Sequence, residues 1–240
     1  MSSDGKGALY VLPNTLGDSA PDAVISGAVL DHARSLDYFI AEDPKSARAF
    51  LKRIGTRRPL QGIRIERLDH NTRAADVPSL LEPVLAGQDA GLLSEAGLPA
   101  IADPGANLVR IAHERGVRVV PLSGPSSIVL ALCASGLDGQ RFAFHGYLPV
   151  SEPELIQALK RLERDSRRLE QTQIFIETPY RNERTLGVCL SVLASDTRLC
   201  LATDLTMASE SVQTRAIADW RGHTLHLMGR PTVFLLSGRP

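Results

Sequence analysis

Apolar positions along the chain fall in short runs, and segments of helical spacing separate them. Residues 8–12 (ALYVL) predict a first strand that leaves through Pro13-Asn14-Thr15-Leu16-Gly17-Asp18. Residues 28–35 predict a short helix, residues 37–41 a second strand, and Asp43-Pro44 the start of another helix. Residues 63–68 alternate as a strand should and deliver Asp69-His70-Asn71 into a loop. Residues 78–86 read as helix and residues 90–93 as a buried strand. A helix with Leu108, Val109 and Ala112 on one face follows. Residues 117–122 form the next strand, and Ser123-Gly124-Pro125-Ser126-Ser127 opens a helix. Strands are predicted again at 141–146, 173–176, 198–202, 212–217 and 232–236. A long amphipathic helix with Leu155, Ile156, Leu159 and Leu162 inward precedes the second of these, and a helix over 182–194 follows it. Strands alternating with helices predict an α/β protein. The proline-flanked segment Tyr147 to Pro153 is the best linker, placing a domain boundary between Gly136 and Pro153 and giving domains of 1–140 and 141–240.

Four strand exits share one order: apolar strand, polar residue or glycine, proline, helix. They are Asp43-Pro44, Asp103-Pro104, Gly124-Pro125 and Thr178-Pro179. Crossover helices make strands parallel, so these exits are expected on one sheet edge, where open α/β folds bind ligands. The segment Ser94 to Gly105 (SEAGLPAIADPG) is the longest of these loops. Asp103 is expected to cap the following helix, with Pro104 in its first turn. Glu95 and the turn at Gly97 have no such task, which points to a small polar ligand.

Composition narrows the classes. Lys+Arg and Asp+Glu each number 27, so no global field draws in nucleic acid or an anionic membrane. A local basic stretch does stand out: Lys45, Arg48, Lys52, Arg53, Arg57 and Arg58 occur with no acid between Lys45 and Arg58. It reads as a solvated helix face or as a set of phosphate contacts. No apolar run approaches the ~20 residues of a membrane span, and the N-terminus lacks the pattern of a signal peptide. Cys133, Cys189 and Cys200 lack metal-site spacing and are expected as buried thiols in a reducing cytoplasm. The histidines form no zinc motif, so no metal is expected.

The runs SEAGLPAIADPGANLV, VVPLSGPSSIVLALCASGL, FAFHGYLP and IFIETPYR, in this order and spacing, resemble the tetrapyrrole methylase-like family of S-adenosylmethionine (SAM) methyltransferases. Within it they are most similar to the branch acting on ribose 2′-oxygens of small-subunit ribosomal RNA. The resemblance runs from Leu9 to about Asp204. It implies a two-domain class III methyltransferase fold with SAM in the interdomain cleft, a cytoplasmic protein and a homodimer. Carried over by position, it implies SAM contacts at Leu16, Gly17, Ala96, Gly97, Leu98, Ile101, Ser126, Ser127, Glu177, Thr178 and Leu205.

Several positions depart from the branch's pattern. Its TPIGN is Asn14-Thr15-Leu16-Gly17-Asp18 here, its SDAGTP is Ser94-Glu95-Ala96-Gly97-Leu98-Pro99, and its ELTK is Asp204-Leu205-Thr206-Met207, without the lysine. The chain also ends at Pro240, short of the branch's C-terminal extension. These departures touch the acceptor more than SAM. Three readings follow: an RNA methyltransferase, a methyltransferase for a tetrapyrrole or other small molecule, and a SAM-binding protein without turnover. Glu95, Asp103 and Glu177 are the carboxylates best placed to act as a general base, and Glu95 is the one chosen. His70, Asn71, Arg53, Arg57 and Arg181 are the expected acceptor contacts.

Overall fold

The computed structural model describes residues 5–223 and 225–238. Met1 to Asp4, on which the reading of the N-terminus partly rests, lie outside the described residues. The chain divides into two compact units, 1–126 and 127–240. This division and the linker-based one differ over residues 127–140.

The first unit holds strands β1 (Ala8–Val11), β2 (Tyr38–Ala41), β3 (Arg64–Arg67), β4 (Ala90–Leu93) and β5 (Arg118–Pro121). Its helices are α1 (Pro21–Val24), α2 (Gly27–Ser35), α3 (Pro44–Ile54), α4 (Glu82–Leu85) and α5 (Ala106–Glu114). The strands pair in the order β3-β2-β4-β1-β5, all parallel. The inner strands β2 and β4 are buried on both faces, which explains their unbroken apolar runs. Alternate residues serve opposite layers. Phe39 and Leu93 pack with Phe50, Leu51 and Val29 of α3 and α2. Tyr38, Ile40 and Leu92 pack with Val84, Leu108 and Ala112 of α4 and α5. Layers this close leave Gly91 no room for a side chain: a Cβ there would lie 2.5 Å from Leu12 Cδ1 and 2.8 Å from Phe39 Cδ1.

The second unit holds α6 (Ser127–Ser135), β6 (Phe142–Tyr147), α7 (Glu152–Leu169), β7 (Thr172–Ile176) and α8 (Asn182–Val192). After these come β8 (Arg198–Thr203), β9 (Ser211–Ala216), α9 (Ile217–Trp220) and β10 (Thr232–Ser237). The strand order is β6-β7-β10-β8-β9, with β6 and β7 parallel and the other pairs antiparallel. Leu155, Leu159 and Leu162 of α7 meet Phe175, Phe234, Cys189 and Trp220 in one core. The Trp220 indole N–H donates to the Leu199 carbonyl at 2.8 Å, so this large ring is buried without an orphaned donor.

Three expectations are corrected. The four proline-marked exits do not share one sheet: three leave β2, β4 and β5, and Thr178-Pro179 leaves β7 of the second sheet. The shared order encodes a local strand-to-helix turn and carries no information about which sheet the strand joins. Asp103 is not a helix cap, because α5 starts at Ala106 behind Gly105, with no side-chain capping bond. Cys133 is exposed, whereas Cys189 and Cys200 are buried with thiol pKa values pushed up to about 12 and about 11 by burial.

Candidate functional site

In the first unit the carboxyl ends of β1, β2, β3, β4 and β5 open on one edge, as a parallel sheet requires. The loop after β1 is fastened to the loop after β4 by one side chain. Asn14, buried, donates from Nδ2 to the carbonyls of Ser94 (3.1 Å) and Glu95 (2.9 Å), while its Oδ1 accepts from Thr15 N–H (2.8 Å). Its own backbone N–H donates to the Gly97 carbonyl at 2.8 Å. Gly97 sits at φ +67°, and a Cβ there would lie 3.1 Å from Leu16 Cδ2 and 3.5 Å from the Pro125 carbonyl oxygen. The loops after β1, β4 and β5 therefore meet at this glycine.

The loop after β4 is strained as well as crowded. Ala100 (φ +66°) and Ala102 (φ +63°) both adopt the left-handed conformation that alanine disfavours by about 1–2 kcal/mol. Asp103 lies outside α5, and the Ser94 hydroxyl, which acts on its carboxyl, donates to the Ala96 carbonyl at 3.0 Å. Burial, opposed by the Ser94 contact and aided by the Glu95 charge, pushes the Asp103 carboxyl up to about 6. Burial, with the charges of Asp103 and Glu95, also raises Glu42. Ile101 is 43% exposed on the same loop.

A cavity of about 220 Å³ lies between the β1 loop and α3. Leu16, Gly17, Phe50, Arg53, Glu95 and Ala96 are among its walls. Arg53 has two bonds to the loop: to Thr15 Oγ1 at 3.4 Å and to the Ser19 carbonyl. Thr15 in turn donates to the Gly17 carbonyl at 2.7 Å. Arg53 thus braces the β1 loop. Arg57 is exposed, and its backbone N–H bonds the Arg34 carbonyl. His70 and Asn71 sit in the turn after β3, which Asp69 stabilises by accepting from the Asn71 N–H (2.9 Å). Leu98 is half-buried beside Gly97, and Ser126 follows Pro125.

In the second unit, β7 and β8 both run antiparallel to β10, so their exits share an edge. Glu177 is buried there. It accepts from Thr178 N–H (2.7 Å), Thr185 Oγ1 (3.2 Å) and Arg181 Nη2 (2.8 Å). The Arg181 guanidinium also reaches the Pro149 carbonyl (3.4 Å), so it holds the β7 exit against the β6–α7 linker. Asn182 donates to the Arg230 carbonyl (2.7 Å), and Arg230 pairs with the buried Asp204 at 2.7 Å. Leu205, also buried, lies between Asp204 (φ +52°) and Thr206 (φ +70°). The cation beside Asp204 is Arg230, and Met207 stands where the lysine was expected. Ser127 opens α6. In the first unit Leu16, Gly17, His70, Asn71, Glu95 to Leu98, Ile101 and Ser126 lie in loops that follow strands, whereas Arg57 lies at the opposite edge, next to Arg58, which pairs with Asp37 ahead of β2; in the second unit Glu177, Thr178, Arg181 and Leu205 follow β7 and β8.

Asn14, Glu42 and Arg230 were not singled out from the sequence. Asn14 was legible as a turn residue within the run that stands for TPIGN, Glu42 lies in the run Ala41 to Lys45 that resembles the family's AEDTR, and Arg230 has no local signal because its partner Asp204 lies far along the chain.

A parallel five-stranded α/β unit followed by a mixed five-stranded one is the class III methyltransferase fold. A family model for tetrapyrrole (corrin/porphyrin) methylases matches residues 22–219, and the chain belongs to that family of SAM-dependent methyltransferases. Ribosomal RNA small subunit methyltransferase I of Escherichia coli O157:H7 is 33% identical over 91% of this chain and 72% of its own length. The protein of the same name from Haemophilus influenzae is 31% identical over 99% of this chain and 81% of its own. Among solved structures, the methyltransferase CobJ matches 97% of this chain and 95% of its own with a TM-score of 0.63 at 17% identity. Uroporphyrin-III-C-methyltransferase from Thermus thermophilus matches 97% and 92% with a TM-score of 0.56 at 16% identity. At these identities the structural matches speak to fold alone.

The residues present fit the family's methyl donor. The first-unit cavity combines apolar walls at Leu16, Phe50 and Ala96 with the Glu95 carboxylate, suited to a cationic centre, and the Arg53 guanidinium. Among the described residues no helix is long and apolar enough to cross a membrane, and no group of three or more His, Cys, Asp or Glu is placed to hold a metal ion.

Proposed function

We propose that the chain methylates a ribose 2′-oxygen of small-subunit ribosomal RNA with SAM as donor. The observation that carries this reading is the similarity to two ribosomal RNA small subunit methyltransferases I across nine-tenths or more of the chain. SAM supplies a methyl group activated on a sulfonium, and the protein's task is alignment and exclusion of water. We assign Leu16, Gly17, Ala96, Gly97, Leu98, Ile101 and Ser126 in the first unit to SAM contact, with Ser127, Glu177, Thr178 and Leu205 in the second.

A hydroxyl acceptor must lose a proton as its oxygen is methylated. Glu95, a wall of the cavity, is assigned as the base. A specific observation favours a second reading for this role: the Asp103 carboxyl is held at about 6, near the pH at which a base works best. His70 and Asn71 are assigned to the acceptor. Arg57 is assigned to it as well. Arg53 and Arg181 are braced by intramolecular bonds and serve by holding loops. A homodimer in the cytoplasm completes the reading, and light scattering tests the dimer.

The deciding experiment incubates purified protein with methyl-labelled SAM and either small ribosomal subunits or a panel of tetrapyrroles, then maps the label. Label on one ribose of the ribosomal RNA is expected. Label on a tetrapyrrole, or on no acceptor, refutes the RNA reading.

A further inference from the structure

An RNA substrate is far larger than the loops that carry out transfer, so it must be held elsewhere as well. The segment expected for this purpose, α3 and its exit, is partly engaged already. Arg53 braces the β1 loop and Arg58 pairs with Asp37 at 3.0 Å. A second row of cations lies on α7. Leu155, Leu159 and Leu162 bury one face of this helix, which leaves Lys160, Arg161, Arg164 and Arg168 on its exposed side. Lys160, Arg164 and Arg168 are spaced four residues apart. They form one line about 12 Å long at 1.5 Å rise per residue.

The acids on this helix do little to neutralise the row. Glu163 is turned to the loop before β8, accepting from Ala194 N–H (2.8 Å) and Thr197 Oγ1. Asp165 reaches Arg168 only at 3.4 Å, and Arg168 stays 66% exposed. Arg167 is the one guanidinium fully engaged, pairing with Asp196 at 2.7 Å, and that pair fixes the flank of the row. Lys160, Arg161 and Arg164 have no ion pair among the described residues. Together with Glu163 and Arg167, the three residues of the row line an open groove of about 490 Å³. Arginine forks suit phosphate oxygens, and an open groove with long cationic walls suits a strand backbone better than a compact ligand.

We infer that the outer face of α7, through Lys160, Arg164 and Arg168, is a phosphate-binding surface for the RNA that carries the acceptor ribose. This rests on the RNA reading given above. It adds a second anchoring surface, on the second unit, that holds backbone and reads no sequence.

The test is the triple variant Lys160→Glu, Arg164→Glu, Arg168→Glu, with the milder Lys160→Gln, Arg164→Gln as a companion in case the triple variant misfolds. Binding to a short single-stranded RNA and to small ribosomal subunits is measured against salt, alongside SAM affinity and circular dichroism. Each phosphate contact contributes roughly 0.7 to the slope of log K against log salt, so losing three should flatten the slope by about 2, and losing two by about 1.4. KM for ribosomal subunits should rise with kcat and SAM affinity unchanged. An unchanged slope in a folded variant, with wild type binding RNA, overturns the α7 surface and leaves the RNA reading standing. If wild type neither binds nor methylates RNA, both fall together.

Discussion

The tie between the first two site loops is one asparagine, and removing it has a calculable cost. Asn14→Ala deletes three hydrogen bonds: two donated to the Ser94 and Glu95 carbonyls and one accepted from Thr15 N–H. At a net of about 1 kcal/mol each, the loss is about 3 kcal/mol, a large share of the 5–15 kcal/mol that holds a typical domain together. For a unit of this size that lowers the melting temperature by roughly 10 °C. Asn14→Asp sharpens the test, because it keeps the shape and turns both donors into acceptors facing two carbonyls. It should be at least as damaging at neutral pH and partly recover in acid, where a protonated carboxyl can donate once. Thermal unfolding monitored by circular dichroism measures stability, and calorimetry with SAM measures the site. If Asn14→Ala melts within about 1 °C of wild type and binds SAM unchanged, the loops are not held by this side chain and the account of the site is wrong.

Other consequences can be checked with the same instruments. Gly97→Val should cost at least 1–2 kcal/mol, because the residue sits at φ +67° with Leu16 3.1 Å from the added Cβ, and SAM affinity should drop; unchanged affinity removes this turn from the site. Asp103 has a folded pKa of about 6, above its ordinary 3.8, so the native state binds more protons than the unfolded state between those values. Its contribution to stability is therefore most favourable in acid and is lost as pH rises through 6. Asp103→Asn should raise the melting temperature at pH 7.5 and lose that advantage near pH 4, and a gain that does not vary with pH contradicts the buried-carboxyl account. Glu177→Ala strands the Arg181 guanidinium, whose side chain is 14% exposed, and should destabilise the protein by about 3–5 kcal/mol. Removing both partners with Arg181→Met added should restore part of that loss, and strict additivity of the two changes counts against the pairing.

Much of the fold could be read from spacing. Short apolar runs closed by a capping residue and proline located β2 and α3, and Asp43 does cap α3, accepting from Lys45 and Ser46 N–H. The inward leucines of α7 were legible because helical periodicity repeats over 18 residues. Strand order was not. Nothing local in residues 232–236 says that β10 inserts between β7 and β8, since pairing is decided by partners some 30 to 60 residues away. Asp103 failed as a cap for a similar reason. A residue two positions before Gly105 suits an N-terminus locally, but burial beside Ser94 and the left-handed turn at Ala102 decide where it goes. Arg53 and Arg181 read as acceptor contacts because a sequence shows a charge and not the groups it bonds, here two oxygens of the β1 loop for Arg53 and the Glu177 carboxylate for Arg181.

The position of β1 in its sheet bears on how this protein is made. β1 precedes both of its neighbours along the chain and takes the second-last place in the sheet, with Leu9 opposite Ala90 on one side and Val119 on the other. Neither neighbour exists until roughly 80 to 110 more residues have been synthesised, on the order of 4–20 s at typical elongation rates. During that interval the segment ALYVL is an apolar strand with both hydrogen-bonding edges open, and a nascent chain stalled before residue 90 should be a good client for a chaperone.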